Sequence, residues 1–141
     1  MIDDKSIKIL LVEDNPGDAR LVREFLRDVP VVRFDLQCAV TMAEALQNLS
    51  VGGMDLVLLD LSLPDSKGWV TFEKAHAARP EIPIIVLTGL NDQAFAVRAI
   101  RHGAKDYLIK GQINGPWLAR SIQRAIESQV AASPPARSVS P

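Results

Sequence analysis

The stretch Asp55-Leu56-Val57-Leu58-Leu59-Asp60 is a short apolar run that stops on an acid. It is too brief for a separate helix and consists of Leu and Val, so it predicts a strand covered on both faces of a parallel sheet. Working outward, the same form recurs three times. Residues 7–12 are followed by Glu13-Asp14, residues 82–87 by Thr88, and residues 107–109 by Lys110. Residues 31–39 alternate instead, with Val32, Phe34, Leu36 and Cys38 set against Arg33, Asp35 and Gln37, which predicts a half-exposed edge strand.

Between these runs the period turns helical. Leu21, Val22, Phe25, Leu26 and Val29 form one stripe, and Leu118, Ile122, Ala125 and Ile126 another. Asn15-Pro16 and Asn114-Gly115-Pro116 each offer a capping side chain and a first-turn proline. Thr41 with Glu44 is a capping box for a helix over 42–49. Asp65 or Ser66 is expected to start a helix over 67–78, and Asn91 or Asp92 one over 92–101, ended by His102-Gly103. Five β-α repeats in this order imply a doubly wound α/β fold. Its five-stranded parallel sheet would have right-handed crossovers and helices on both faces. A single domain over residues 1–128 is expected, with residues 129–141, rich in Pro, Ser and Ala, as a disordered tail or linker.

Composition narrows the function. Sixteen basic against seventeen acidic residues give a net charge of −1, so no nucleic-acid surface is expected. No apolar run nears the roughly 18 residues of a membrane span. The opening Met-Ile-Asp-Asp-Lys is unlike a secretory signal. The single cysteine, Cys38, excludes an internal disulfide framework and suits a reducing compartment. A cytoplasmic location is expected.

In an open α/β sheet, ligands bind at the carboxyl ends of the strands. Those ends here carry Glu13, Asp14, Asp60, Thr88 and Lys110. Taken singly, each has an ordinary explanation: an acid or amine where a strand meets water, Asp14 beginning a helix turn, Thr88 as a β-branched strand residue. Converging on one edge, they make a chemical set. Three carboxylates repel one another unless a cation compensates, and a set of oxygen donors suits Mg²⁺. Asp60, on a central strand, is placed to attack phosphorus as a nucleophile. Mg²⁺ on Asp14 and Asp60, the Lys110 ammonium and the Thr88 hydroxyl would neutralise phosphoryl oxygens, and Gly89 leaves room for the group. His76 and His102 lie in helical patterns away from any metal-ligand cluster and are expected to be solvated. No nucleophile elbow, phosphate-binding glycine loop or dinucleotide fingerprint is present.

Four stretches carry a family likeness: Ile9-Leu10-Leu11-Val12-Glu13-Asp14-Asn15, Leu58-Leu59-Asp60-Leu61-Ser62-Leu63-Pro64-Asp65, Val86-Leu87-Thr88-Gly89 and Gly103-Ala104-Lys105-Asp106-Tyr107-Leu108-Ile109-Lys110. Over residues 7–127 the chain resembles the receiver domains of two-component response regulators. The resemblance implies a flavodoxin-like sheet of strand order 2-1-3-4-5. It implies that Asp60 is the phosphoacceptor, fed by a phosphohistidine on a histidine kinase or histidine phosphotransfer protein. Asp14 and Asp60 would bind Mg²⁺ directly, Glu13 through water, and the main-chain carbonyl of Ser62 would be a further ligand. Thr88 and Lys110 would take the phosphoryl oxygens, and Tyr107 would be an aromatic switch that moves with Thr88. The 92–127 face would then carry the signal to a downstream partner or a fused output domain. Two departures stand out. Gly111 follows the lysine where many receivers have a cis-bonded proline, so the Lys110–Gly111 bond is expected to be either trans or strained. Glu13 replaces the first aspartate of the commoner pair.

The function expected is a phosphorylation-dependent signalling switch, not a turnover enzyme. Two other readings compete with it. A receiver-like interaction scaffold working without phosphorylation would be marked by loss of site residues, and all are present. An aspartyl-nucleophile phosphatase would need an acid where Ser62 stands. A flavin-binding protein of similar topology is a further alternative that nothing in the sequence calls for.

Overall fold

A computed structural model describes residues 6–30 and 32–138. The opening residues 1–5, Val31 at the start of the expected edge strand, and residues 139–141 of the expected tail lie outside the described residues. Five strands form one parallel sheet: β1 (Ser6–Val12), β2 (Arg33–Ala39), β3 (Leu56–Leu59), β6 (Ile84–Thr88) and β7 (Asp106–Ile109), in the order β2-β1-β3-β6-β7. Counting only these strands, that is the expected 2-1-3-4-5. The chain leaves β1 for one edge and returns to the other side of β1 as β3. The order therefore reverses between β1 and β3, which opens a crevice at their carboxyl ends.

The helices are α1 (Pro16–Arg27), α2 (Met42–Val51), α3 (Trp69–Ala78), α4 (Gln93–Arg101) and α5 (Gly115–Ser138). Alternation along the central strands splits the core in two. Leu10, Val12, Val57, Leu59, Ile84 and Val86 face α2, α3 and α4, where Met42, Leu49, Phe72 and Ala99 meet them. Ile9, Leu11, Leu56, Leu58, Ile85 and Leu87 face α1 and α5, against Val22, Leu26, Leu118 and Ile122. Each of these large side chains contributes roughly 1.5–3 kcal/mol by leaving water. Both faces being apolar is what makes the central strands read as unbroken hydrophobic runs.

Most of the expected caps form. Asn15 Oδ1 accepts from Asp18 N at 3.0 Å, Thr41 Oγ1 from Glu44 N at 3.1 Å, Asp92 Oδ1 from Phe95 N at 3.1 Å, and Asn114 Oδ1 from Trp117 N at 2.8 Å. Gly103 closes α4 at φ 116°, a left-handed conformation that suits glycine.

Two expectations need correction. An antiparallel hairpin of β4 (Ser62–Leu63) and β5 (Ser66–Lys67) stands where the 67–78 helix was to begin, so that helix starts at Trp69. Gly68, at φ 74°, is its cap and brings no side-chain bond. Neither Asp65 nor Ser66 starts the helix: the hairpin turns Asp65 toward α2, whose Met42 and Ala43 N–H groups it accepts at 2.7 and 3.0 Å. Ser66 Oγ instead pairs with Thr71 Oγ1 at 2.7 Å in the interior. The last helix, α5, is described to Ser138. Gln129 Nε2 donates to the Glu81 carbonyl at 2.7 Å.

The histidines are not merely solvated. His76 stacks on Phe72 with ring centroids 5.7 Å apart, and His102 meets the Trp69 ring edge-on at 5.2 Å. Trp69 also packs against Phe72 and Phe95, and the Arg98 guanidinium lies 3.9 Å over its ring. Trp69 therefore ties α3 to α4. No helix among the described residues is long and apolar enough to cross a membrane.

Asp65 gives the first measurable consequence. The Met42 N–H bond, with that of Ala43, holds its carboxyl below the usual carboxylate value. A depressed folded-state pKa stabilises the protein above the ordinary value, and that benefit disappears as pH falls through the lowered one. Asp65→Ala should therefore melt at a lower temperature than wild type at neutral pH, and the two should converge in strong acid. Thermal melts across the acid range measure this, and a gap that stays constant throughout would exclude the capping role.

Candidate functional site

Backbone ladders bring the polar strand ends together. Glu13 N donates to the Ala39 carbonyl at 2.9 Å, and Asp60 N to the Val12 carbonyl at 3.0 Å, so the pairing of β1 continues past its last apolar residue. Lys110 N donates to the Thr88 carbonyl at 2.8 Å and extends the β6–β7 ladder in the same way. Glu13, Asp60 and Lys110 are therefore each held one residue beyond a strand of the sheet.

At this edge, one carboxylate oxygen from each of Glu13, Asp14 and Asp60 lies within 4.8 Å of the others. Glu13 and Asp60 are buried, with side chains 3% and 7% exposed, and Asp14 faces solvent. Hard oxygen donors on the rim of an open cleft fit a divalent ion such as Mg²⁺, which keeps several waters and takes few carboxylates. Lys110 reaches into the same group. Its Nζ lies 2.6 Å from Glu13 Oε1, 3.2 Å from Asp60 Oδ2 and 2.9 Å from Asp18 Oδ2.

Electrostatics follow from burial and crowding. Burial pushes the Glu13 carboxyl up to about 7. The Lys110 hydrogen bond and the Asn15 N–H offset part of that rise, while the neighbouring Asp60 carboxyl adds to it. Burial works against the Lys110 ammonium, but hydrogen bonds to Asp18 and Glu13 and the charges of Asp60 and Glu13 outweigh it and hold its pKa above the ordinary lysine value. Three carboxylates meet one ammonium and Asp14 stands beside them, which leaves the cleft short of positive charge, the condition under which a cation binds.

The remaining expected residues lie around this centre. Thr88 is buried at the end of β6, and its Oγ1 accepts from Leu90 N at 3.3 Å. Tyr107, on β7, donates its hydroxyl to the Leu90 carbonyl at 2.9 Å; burial, with a smaller contribution from Asp92, raises its pKa. Ser62 opens β4 with its side chain exposed. The Lys110–Gly111 bond is trans, and the chain turns there through φ 87° at Gly111, which answers the alternative left open by the missing proline. Asp18 is the residue that sequence reasoning missed. The signal was present, because Asn15-Pro16 fixes where α1 starts and so places Asp18 in its first turn, beside the strand ends.

Comparison with known proteins agrees with this fold. A family model described as the response regulator receiver domain matches residues 9–124. The chain is 37% identical over 100 residues to the regulatory protein LuxO of Vibrio vulnificus, covering 71% of this chain and 21% of that protein. It is 39% identical over 104 residues to the swarming motility regulation protein RssB of Serratia marcescens, covering 74% of this chain and 46% of that protein. The chain thus spans less than half the length of these relatives. Among solved structures, a CheY-like response regulator receiver domain protein from Methanospirillum hungatei superposes with a TM-score of 0.78 at 26% identity, covering 92% of this chain and 100% of that one. The signal receiver domain of a putative LuxO repressor protein from Vibrio parahaemolyticus also gives 0.78, at 28% identity, covering 90% and 95%.

The charge balance can be tested without any assay of function. Lys110→Ala should lose about 1–3 kcal/mol of unfolding free energy in metal-free buffer, because it leaves Glu13 and Asp60 facing each other uncompensated. Excess Mg²⁺ should restore part of that loss. Urea denaturation with and without the ion measures both effects. A variant as stable as wild type in metal-free buffer would show that Lys110 does not neutralise the cluster.

Proposed function

The chain belongs to the response regulator receiver domain family of two-component signalling, and from that premise we propose that it is a phosphorylation-dependent switch whose phosphoacceptor is Asp60. The observation that carries this reading is the position of Lys110 Nζ, 3.2 Å from Asp60 Oδ2, beside the cluster of Glu13, Asp14 and Asp60 oxygens. An Asp60 carboxylate oxygen attacks the phosphorus of a phosphohistidine on a histidine kinase or histidine phosphotransfer protein. The new O–P bond forms as the P–N bond breaks, and the imidazole leaves with the electron pair and takes up a proton. Attack of water on the acyl phosphate later releases phosphate and returns the carboxylate. The chemistry alters the protein itself, so the chain is a signalling component and not a conventional enzyme.

The side chains act by position and charge. Glu13, Asp14, Asp60 and the main-chain carbonyl of Ser62 would hold Mg²⁺, which when bound supplies positive charge to the phosphoryl oxygens. Lys110 donates to one of these oxygens and Thr88 Oγ1 to another. Gly89, exposed beside Thr88, keeps the approach clear.

Transmission begins at Thr88. Its hydroxyl now accepts from Leu90 N, while Tyr107 donates to the carbonyl of the same residue. A Thr88 hydroxyl turned to a phosphoryl oxygen gives up the Leu90 bond and frees the segment leading to the Asp92 cap of α4. The 92–127 face, where Val97, Ile100 and Trp117 are exposed, then presents a changed surface to a downstream partner or fused output domain. This reading places the chain in the cytoplasm, where kinases present phosphohistidine.

Incubation with Mg²⁺ and acetyl phosphate should add the mass of one phosphoryl group, and Asp60→Asn should abolish the gain. Intact mass spectrometry decides it, and an undiminished gain in the variant would refute the assignment. In a Trp117→Phe background, Trp69 is the one tryptophan and reports on α4 through its contacts with Phe95, Arg98 and His102. There, Thr88→Ala should accept the phosphoryl group yet lose most of the Trp69 fluorescence change. A full fluorescence response in that variant would remove Thr88 from the switch.

A further inference from the structure

Asp18 belongs to the lysine and not to the cation cluster. The oxygens that gather at the cleft come from Glu13, Asp14 and Asp60, whereas Asp18 Oδ2 meets Lys110 Nζ at 2.9 Å from the side of α1. Its side chain is 41% exposed, against 3% for Glu13 and 7% for Asp60, so it approaches the ammonium from solvent. An ammonium has three N–H donors, and all three have carboxylate partners here.

We propose that Asp18 is a positioning residue that competes with the phosphoryl group for Lys110 and so sets how readily Asp60 holds it. The inference rests on Asp60 being the phosphoacceptor. A cation at the cluster draws on Glu13 and Asp60, which leaves Asp18 as the carboxylate still holding the ammonium. A phosphoryl group brings roughly two negative charges at neutral pH to a site that had one. Its oxygens share the ammonium with Asp18, whose charge holds the ammonium toward α1 and repels them as they arrive.

A purely structural role would act in the opposite direction. Asp18 lies in the first turn of α1, where negative charge favours the helix dipole. If that were all it did, removing the charge would loosen α1 and weaken every ligand of the cleft. Competition instead makes the phosphoryl mimic bind better while Mg²⁺ alone binds no better, since the freed ammonium can turn back to Glu13 and Asp60.

The test is calorimetric titration of wild type, Asp18→Asn, Asp18→Ser and Asp18→Glu, first with Mg²⁺ alone and then with beryllofluoride at saturating Mg²⁺. Asp18→Asn and Asp18→Ser should bind beryllofluoride roughly threefold to tenfold more tightly, the scale of one partly exposed charge contact. Asp18→Glu should stay close to wild type. The half-saturating concentration of acetyl phosphate should fall in the two neutral variants, with the maximal rate of phosphorylation little changed. Equal or weaker beryllofluoride binding in both neutral variants, with wild type binding normally, overturns the role of Asp18 and leaves the phosphoacceptor standing. If wild type itself takes up neither beryllofluoride nor a phosphoryl group, the phosphoacceptor reading fails and this inference falls with it.

Discussion

Carboxylates gathered at one edge of a sheet repel each other, and the structure is organised around the ammonium that holds them there. Glu13 and Asp60 are buried within reach of a single Lys110, so the cleft stays assembled while remaining electron-rich. The constraint reaches back into the backbone. Asp60 can face Glu13 because β1 and β3 are neighbours in register, with Val12 opposite Leu59, and because the ladder continues one bond further to the Asp60 amide. Lys110 arrives from the far strand because β7 pairs with β6 up to Thr88 and Ile109. A slip of one residue in either pairing would turn these side chains to the wrong face.

Under the proposed switch, a local charge change would travel from the same edge. Leu90 is bonded on both sides of its residue, its N–H to Thr88 and its carbonyl to Tyr107, and it leads directly to α4. α4 in turn is joined to α3 through Trp69, with the Arg98 guanidinium over the indole and Phe95 and His102 at its edges. Moving an equilibrium from almost wholly one state to almost wholly the other takes about 5.5 kcal/mol of differential stabilisation. Charge-assisted hydrogen bonds at about 1.5–3 kcal/mol each reach that range with two or three contacts. The number of bonds available around Thr88 and Lys110 is of that order, so no large rearrangement of the core is required.

The sheet and its polar rim were legible because both depend on local pattern. Residues 56–59 are apolar at every position since each face of β3 is covered, and Asp60 is polar because cover ends there. The caps of α1, α2 and α4 were legible for the same reason: Asn15, Thr41 and Asp92 bond to backbone three residues away. What escaped was set by distance along the chain. Asp65 looks like a start signal for the helix that follows it, yet the hairpin of β4 and β5 carries it to the amides of Met42 and Ala43. Asp18 and Lys110 are far apart in sequence, and their contact exists only once α1 packs beside the β7–α5 connection. His102 looked solvated because its partner Trp69 comes from α3, whereas His76 stacks on Phe72 four residues earlier in its own helix, a local pair that the spacing already carried.

The residue after Lys110 shows why a side-chain contact matters at this point. A proline there would fix φ near about −65° and stiffen the connection to α5. Gly111 instead sits at φ 87°, in a region open to glycine and strained for other residues. Two backbone bonds remain to place the lysine, Lys110 N to the Thr88 carbonyl and Gln112 N to the Ile109 carbonyl, and both act on the main chain. Neither constrains the long, freely rotating stem that carries the ammonium. That task falls to the carboxylates it meets, and of the three only Asp18 is outside the cluster that a cation would draw on. The lysine ammonium thus meets a carboxylate on a helix whose start Asn15-Pro16 fixes.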